Sequence, residues 1–494
     1  MTSSFLNTYH TRLLMLLLIF AASSSGLFGQ SQPQLLVPGT VVTGECHGHE
    51  SDPGCVLPNL FGPQGLTLFP ISAFPHYAHF IGSAETTLNG TLSTAIATQL
   101  AILPFISPSS GFTYRYDTST GAFVRTTTSF GPIYTERAET VGRRKVSIGA
   151  SYQRFRFDKL DGIDLHEIPV VFTYLADSGP GGAPQTYEAD VIATTNNLKL
   201  NMDQTMLFGT VGVLDHLDVS VAIPISSIRM SATSNASIIR VSGPTFNLTT
   251  TGQPFPNPHE FDASGTQSKV FSSTGSASGI GDITFRTKGT VFQSESVRLA
   301  LALDVRTPTG DARKLLGSGA VGLRPFLVVS TGKRFSPHAN IGYQWNGESI
   351  LAGNDITGIN ISEGQTGNEV IQNGPAPKQK LPAEFFYWLG TDIGVSRRHL
   401  TLVFDYLGQI VFKAPQISQT TFVTQNIPGG TGALALPTIR DVKNNVGLNS
   451  GAAGAKYTVY RNLLLTGDVL FRLDKKGLRQ NVTPLVSLQY SFGR

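Results

Sequence analysis

The chain has 494 residues, with 37 Lys and Arg against 33 Asp and Glu, for a formal net charge of +4. So small and dispersed an excess gives no basis for binding nucleic acid, and no such partner is expected. Only 14% of residues are charged and 40% are hydrophobic, with mean hydropathy near zero; this is too apolar for disorder and too evenly apolar for a bundle of membrane helices.

Residues 1–29 read as an export signal. His10 and Arg12 form a weakly basic start, Leu13 to Ala22 (LLMLLLIFAA) an apolar core, and Ser23 to Gly29 supplies small residues for cleavage between Ala22 and Gln30. The apolar run is shorter than the roughly 20 residues that span a bilayer, which argues against an uncleaved anchor. No cysteine lies near the cleavage region, so a lipoprotein signal is disfavoured. No later apolar run is long enough for a membrane helix. A membrane location therefore requires a barrel.

Residues 30–142 form an N-terminal segment punctuated by Pro and Gly. Cys46 and Cys55 are the only cysteines, and an exported pair is expected to form a disulfide. The phrase CHGHE (Cys46 to Glu50) offers a competing metal reading, but its spacing is not that of a zinc finger. Leu92, Ile96, Leu100 and Leu103 recur at helical spacing, with Thr91 and Ser93 as candidate caps. Phe112 to Thr127 reads as a hairpin turning at Thr118 to Gly121. Two roles stay open for this segment, a plug-like or periplasmic element and a simple lead-in.

From residue 143 the pattern becomes a series of amphipathic strands. Val297, Leu299, Leu301, Leu303 and Val305 share one face, and Arg298, Ala300, Ala302, Asp304 and Arg306 the other. Val219 to Ile225, Ile283 to Phe285, Leu400 to Tyr406 and Leu463 to Leu473 divide the same way. The final run, Val482 to Phe492, sets Val486, Leu488, Tyr490 and Phe492 against Ser487, Gln489 and Ser491. A soluble sandwich also alternates, but its polar face would be rich in Lys and Glu. Here that face carries Gly, Ala, Ser and Thr with sparse Asp and Arg, as suits a confined lumen. A charge on the lipid side at mid-membrane would cost roughly 2–4 kcal/mol.

Connection lengths point the same way. Short links fall at Leu214 to His216, Gln293 to Ser296, Gly332 to Ser336, Ser396 to His399 and Tyr460 to Asn462. Long ones are expected at 231–278, 307–319, 347–382 and 413–441. With a periplasmic C-terminus every short link falls on the periplasmic side, as in outer-membrane barrels. The expected fold is thus all-β, a transmembrane antiparallel β-barrel over residues 143–494 with about 12 strands. The count becomes about 14 if His166 to Tyr174 and the 112–127 hairpin enter the wall.

Three phrases are more specific: SGIGDITF (Ser278 to Phe285), RTPTGD (Arg306 to Asp311) and DYLGQ (Asp405 to Gln409). The glycines of the first suit a strand that bends or passes a neighbour closely, and Pro308 with Gly310 ends a strand. With the strand 297–306, these phrases resemble the family of outer-membrane proteins known from the meta pathway of phenol degradation, remotely similar to fatty-acid and aromatic-hydrocarbon channels. The resemblance covers roughly residues 130–494. It implies a barrel in the outer membrane of a Gram-negative cell, passing small hydrophobic or aromatic solutes, in contact with outer-membrane lipids and barrel-assembly machinery. It also implies that Tyr490 and Phe492 form the assembly signal of the last strand.

No cofactor, metal or enzymatic activity is expected, because no G-x-S-x-G elbow or H-E-x-x-H helix occurs. His338, in SPHANIGY, reads as an interfacial polar residue without an identifiable catalytic partner. The candidate pore-lining set is Asp282, Arg286, Lys288, Arg298, Asp304, Arg306, Asp392, Asp405, Asp468 and Arg472. For each, the competing role is a paired charge that fills the barrel interior. Arg306, just before PTGD, is the candidate constriction. The expected function is passive uptake through an outer-membrane channel; the alternative is a non-transporting scaffold or adhesin that presents the long loops.

Overall fold

The computed structural model describes residues 46–492, apart from 47, 63–65, 67, 70–82, 118–121, 126–128, 174–189, 242, 244, 248–253, 257–258, 333, 353–358, 364–368, 374–377, 397–398 and 427–431. The export signal and the turn of the 112–127 hairpin lie outside the described residues.

Among the described residues, twelve antiparallel strands form a closed wall. They are β1 (Val146–Phe157), β2 (Val191–Leu214), β3 (Leu217–Ile239), β4 (Thr284–Gln293), β5 (Val297–Arg306) and β6 (Gly322–Thr331). The chain continues through β7 (Phe335–Asn346), β8 (Glu384–Ser396), β9 (Leu400–Val423), β10 (Ala435–Tyr460), β11 (Leu463–Arg472) and β12 (Val482–Phe492). Each strand pairs with the next. β12 closes the ring on β1, with Val486 opposite Tyr152 and Phe492 opposite Val146.

The alternation read from the sequence is the inside–outside alternation of this wall. Along β12, Val482, Val486, Leu488, Tyr490 and Phe492 face outward and are 37–54% exposed, while Thr483, Ser487, Gln489 and Ser491 are buried. Phe285, Leu301, Ile341, Leu389, Phe404 and Val469 continue the exposed apolar surface around the ring. So large an apolar patch has no place in water. In lipid, a closed sheet is the form that satisfies every backbone group. The even, antiparallel, outwardly apolar ring is the outer-membrane type. The protein is a multi-pass β-barrel of the outer membrane.

The strand ends that the short links join, Leu214 and Leu217, Gln293 and Val297, Thr331 and Phe335, Ser396 and Leu400, and Tyr460 and Leu463, all lie at one end of the wall, and the strand ends that the long connections join lie at the other. Two long loops are shorter than the sequence suggests. The expected loop 231–278 is largely strand: β3 runs on to Ile239, and Ser268–Ile280 pairs with it from Ser268↔Ser237 to Ile280↔Ile225. The expected loop 413–441 shrinks to 424–434, because β9 and β10 stay paired out to Val423↔Ala435. The reason is physical. Beyond the bilayer the outer face meets water, so these extensions carry Ser, Thr and Gln outward and lose the apolar mark of a lipid-facing strand.

Ser268–Ile280 continues the line of β4, with a break at Gly281 to Ile283. There the Gly281 amide donates to the Pro224 carbonyl (2.8 Å), and a Cβ on Gly281 would meet the Leu316 carbonyl oxygen at 2.7 Å. This is the bend and close approach that the SGIGDITF phrase suggests. The strand Ile168–Thr173 joins the edge of β2, whereas among the described residues Tyr114–Asp117 pairs only with Ala122–Arg125. Among the described residues the sheet thus has fourteen strands, but the closed wall has twelve.

Helix α1 spans Ser83–Ile102. It begins well before Thr91, so Thr91 and Ser93 lie within it and are not its caps. The Thr94 and Thr98 hydroxyls bond back to the carbonyls of Gly90 (2.8 Å) and Thr94 (2.7 Å). Thr, Ser, Asn and Gly are weak helix formers, so this part of the sequence hides its helix. Tertiary burial overrides the propensity. Leu88, Leu92, Ile96 and Ile102 pack with Phe155, Phe157, Phe172, Leu200, Met230 and Val446 in the apolar interior of the barrel's outer half.

Candidate functional site

The inner face holds two stretches of the chain itself, 101–113 and 129–141, fixed by buried apolar side chains and by polar contacts to inward positions of the wall. On β4 and β5, Arg286 stands directly opposite Asp304 in the ladder. Their side chains form a two-pronged pair, Nε–Oδ1 2.6 Å and Nη2–Oδ2 2.7 Å. Glu136 of the inner segment inserts beside it, bonding Arg286 Nη1 and lying 3.1 Å from Lys288 Nζ. Lys288 also donates to Ser109 Oγ (2.6 Å) and to the carbonyls of Arg137 and Glu139 (2.9 Å each). Asn340 clamps the Glu136 backbone from both sides, at 2.6 and 3.0 Å.

Across the lumen, Asp405 on β9 accepts from the amides of Ile133 (3.2 Å) and Tyr134 (2.9 Å) and from Thr135 Oγ1 (2.6 Å). Lys456 on β10 donates to Ser110 Oγ (2.9 Å) and to the Pro132 carbonyl. Nearer the short-turn end, Asp218 receives the Val141 amide at 2.9 Å and Arg298 pairs with Glu139 at 3.1 Å. The Ala138 amide donates to Ser330 Oγ (2.8 Å), which also meets His338 Nδ1 (2.8 Å), and His338 Nε2 bonds Asp392. His338 is therefore a buried inward residue with two side-chain partners, not an interfacial one.

At the end of α1 the last carbonyls would be orphaned in the lumen. Arg306 Nη1 and Gln344 Nε2 (3.0 Å) both donate to the Ala101 carbonyl, and Gln409 Nε2 reaches that of Ile102 at 3.3 Å. A cation at a helix C-terminus also complements its dipole. Arg306 thus holds the helix end.

Of the ten candidates, Arg286, Lys288, Arg298, Arg306, Asp392 and Asp405 touch the inner segment directly, Asp392 through Ser129, while Asp304 reaches it through Arg286. Asp468 is buried on the same face beside Tyr134 and Asp405. Asp282 instead secures the 307–321 connection, accepting from the Gly310 amide (3.1 Å) and from the Ser318 amide and hydroxyl (2.7 Å each). Arg472 is not brought into the cluster; it bonds the Arg479 carbonyl at 3.3 Å near the outer rim.

The sequence reading missed the other half of these contacts, Glu136, Glu139, Lys456 and Asn340. One signal was present: TERAE (Thr135 to Glu139) concentrates three charges in a stretch otherwise poor in them. Cys46 and Cys55 form the expected disulfide, with Cα atoms 5.5 Å apart.

A cavity of about 70 Å³ remains beside α1, lined among others by Leu103, Phe105, Met206, Arg306, Arg324 and Gln344. Arg324 lies 3.9 Å from the Phe386 ring centroid and 4.4 Å from that of Trp388, and its Nε has no hydrogen-bond partner among the described residues. The cavity is amphipathic: apolar side chains share its lining with the guanidinium groups of Arg306 and Arg324 and the carboxylates of Asp282 and Asp304.

Residues 178–373 match the family model described as "Putative MetA-pathway of phenol degradation". The matched span includes the SGIGDITF and RTPTGD phrases, while DYLGQ lies beyond it. Among curated proteins, none matches the chain. Several solved barrels are similar to it. An outer membrane channel from Pseudomonas putida F1 is 11% identical, with a TM-score of 0.40 over 72% of this chain and 99% of that one. A FadL homologue from Pseudomonas aeruginosa is 11% identical, with a TM-score of 0.29 over 79% and 99%. The toluene transporter TodX of P. putida is 8% identical, with a TM-score of 0.28 over 71% and 90%. These are distant likenesses; the membrane placement of the chain rests on its own wall.

Proposed function

We propose that the protein is an outer-membrane channel, not an enzyme, for passive uptake of small hydrophobic or aromatic compounds, and that residues 83–141 act as its plug. The observation that carries this reading is the way the lumen is filled. The 103–141 part of the segment buries apolar side chains such as Ile106, Ile133 and Tyr134 against the wall and adds hydrogen bonds and ion pairs to inward side chains, each of which water can replace. The cavity beside Phe105 and Arg324, with apolar side chains and guanidinium groups in its lining, suits a small aromatic solute more than a sugar. The family match and the names of the similar barrels, a channel and a toluene transporter, agree with this reading.

The test is solute flux into liposomes containing the purified protein, with toluene-sized aromatics and a sugar of similar mass compared. Faster entry of the aromatic supports the proposal. A barrel that passes neither solute, with or without its inner segment displaced, would sink it. The scaffold reading has its own observation: β9 and β10 stay paired for twelve residues past Val411, roughly 40 Å of hairpin. Proteolytic shaving of that hairpin that leaves flux intact but abolishes cell attachment would favour display.

A further inference from the structure

The outer surface of the barrel carries a cationic cluster that neither the lumen nor the turns account for. Along β3 the outward residues Val219, Val221, Ile223 and Ile225 are apolar, and the next ones are Ser227 and Arg229. From Leu217 to Ile225 the strand climbs roughly 20 Å at a tilt of about 40°, close to the height of an outer-membrane apolar band. On β1 the outward order is Ile148, Ala150, Tyr152 and then Arg154 and Arg156. On β2, read in the same direction, it is Val211, Gly209, Leu207, Thr205 and then Asp203, Asn201 and Lys199. The change from apolar to basic thus comes at the upper limit of the lipid-facing surface.

The ladder places these residues together. Arg156 is opposite Asn201, Asn201 is opposite Arg229, and Arg229 is opposite Ser276, forming one row across four strands. Lys199 lies one outward position further up β2, opposite Ser231. Arg156 and Arg229 are two strands apart, about 10 Å, with Asn201 between them. Arg156, Lys199 and Arg229 are exposed, and among the described residues their side chains have no ion-pair or hydrogen-bond partner. The nearby acids are already engaged. Asp203 receives the Tyr152 hydroxyl at 2.6 Å and lies 3.5 Å from Arg154 Nε, and Asp158 accepts from Asn481 at 3.3 Å. Hydroxyls surround the row, with Ser278 donating to Ser227 at 2.9 Å. On the far side of the barrel the outer surface carries Tyr343, Trp345 and Phe412 in ring contact. The cationic row thus lies apart from these rings.

Three uncompensated cations and a field of hydroxyls, set just above lipid-facing strands, match a phosphate group carried on an acyl-chain anchor. Such an anchor would lie along Ile225, Ile280 and Tyr152 below. We propose that Arg156, Lys199 and Arg229 form a binding site for the phosphorylated headgroup of an outer-leaflet glycolipid. Juxtamembrane cations attract anionic lipid surfaces in this way, and Arg and Lys at this spacing can share a phosphate's three oxygens. The inference is independent of what passes through the lumen.

The test is native mass spectrometry of the full protein in detergent with bis-phosphorylated lipid A, its enzymatically dephosphorylated form and inorganic phosphate. The wild-type barrel is expected to keep the phosphorylated lipid at least tenfold more strongly than the dephosphorylated one. The triple substitution R156Q/K199Q/R229Q should remove that preference while keeping heat-modifiable gel migration and the wild-type solute flux. Equal retention of both lipids by the wild type overturns the proposal, whether or not the variant folds. So does a folded triple variant that keeps the preference. Displacement of the lipid by low millimolar inorganic phosphate would show a free-anion site and overturn the lipid assignment.

Discussion

Replacing Asp405 with Ala is the sharpest perturbation of the plugged lumen. Its carboxylate accepts three hydrogen bonds from consecutive residues of the inner segment, Ile133, Tyr134 and Thr135. Two of the donors are backbone amides with nowhere else to turn in the packed lumen. Bonds to a charged acceptor are worth roughly 1.5–3 kcal/mol each, and a buried orphaned donor costs about 1–3 kcal/mol. Because the three bonds share one carboxylate they are not additive. A combined loss of about 3–4 kcal/mol is expected, and at 1.4 kcal/mol per factor of ten this shifts the displaced state by roughly 10²–10³-fold. The assay is single-channel recording in planar bilayers, reading the fraction of time spent conducting. Thr135→Ala, which removes one bond, should move it by about tenfold. Gly390→Ala supplies an independent wedge: a Cβ there would collide with both Asp405 Oδ1 and Thr135 Oγ1. It should open the channel without removing any polar group. Asp405→Ala and Gly390→Ala barrels that both fold and conduct as the wild type does would refute the account of how the segment is held.

Other expectations follow from the same contacts. Glu136→Gln removes the counter-charge shared by Arg286 and Lys288, and should destabilise the plugged state by about 3–5 kcal/mol, read as a raised open probability that high salt does not reproduce. Reducing the Cys46–Cys55 bridge, which spans nine positions, should cost the 46–62 segment about 2.5–3 kcal/mol of local stability. That segment covers the free edge of Ser268–Ile280 through the Ser276 amide to the Ser51 carbonyl (3.1 Å), so faster hydrogen exchange at Ser276 under reductant is the readout. We also propose that Tyr490 and Phe492 are the assembly signal: substituting both with Ser should abolish heat-modifiable barrel in cells, and normal surface levels would contradict it.

The wall was legible in the sequence because lipid enforces a strict rule. Wherever a strand faces the bilayer its outward residues must be apolar, so Val297–Arg306 and Leu463–Arg472 display their register openly. The rule lapses above the bilayer, which is why Ser231–Ile239 and Ser268–Ile280 looked like loop. The inward charges were legible as inward for the same reason, but their partners were not. Glu136 and Arg286 are joined only when a segment without periodicity is threaded through a ring, and nothing local encodes that path. Arg324 was hidden differently: Pro325 follows it, and strand alternation around a proline is hard to read.

The two ends of the inner segment are held by different balances of the same forces, and this decides whether they move together. Helix α1 buries Leu88, Leu92, Ile96 and Ile102 to 4% exposure or less. Withdrawing those four side chains into water would cost roughly 6–12 kcal/mol, an upper bound. The stretch 130–141 buries Phe130, Ile133, Tyr134 and Val141 to 2% or less, a comparable apolar cost, and adds hydrogen bonds and ion pairs to the wall. If it leaves, water enters, and Lys288, Asp405 and Lys456 exchange protein partners for solvent at a net cost of about 0.5–1.5 kcal/mol per bond. The Arg286–Asp304 pair lies wholly in the wall and stays intact, so the emptied lumen keeps part of its charge balance. Neither end is released ahead of the other, and the segment is expected to move as one body. Hydrogen exchange by mass spectrometry on the reconstituted barrel checks this: the amides of Ile133, Tyr134 and Val141 should exchange together with those of Ile96 to Ile102. Earlier exchange at 133–141 would mean that the polar contacts yield first and set the path.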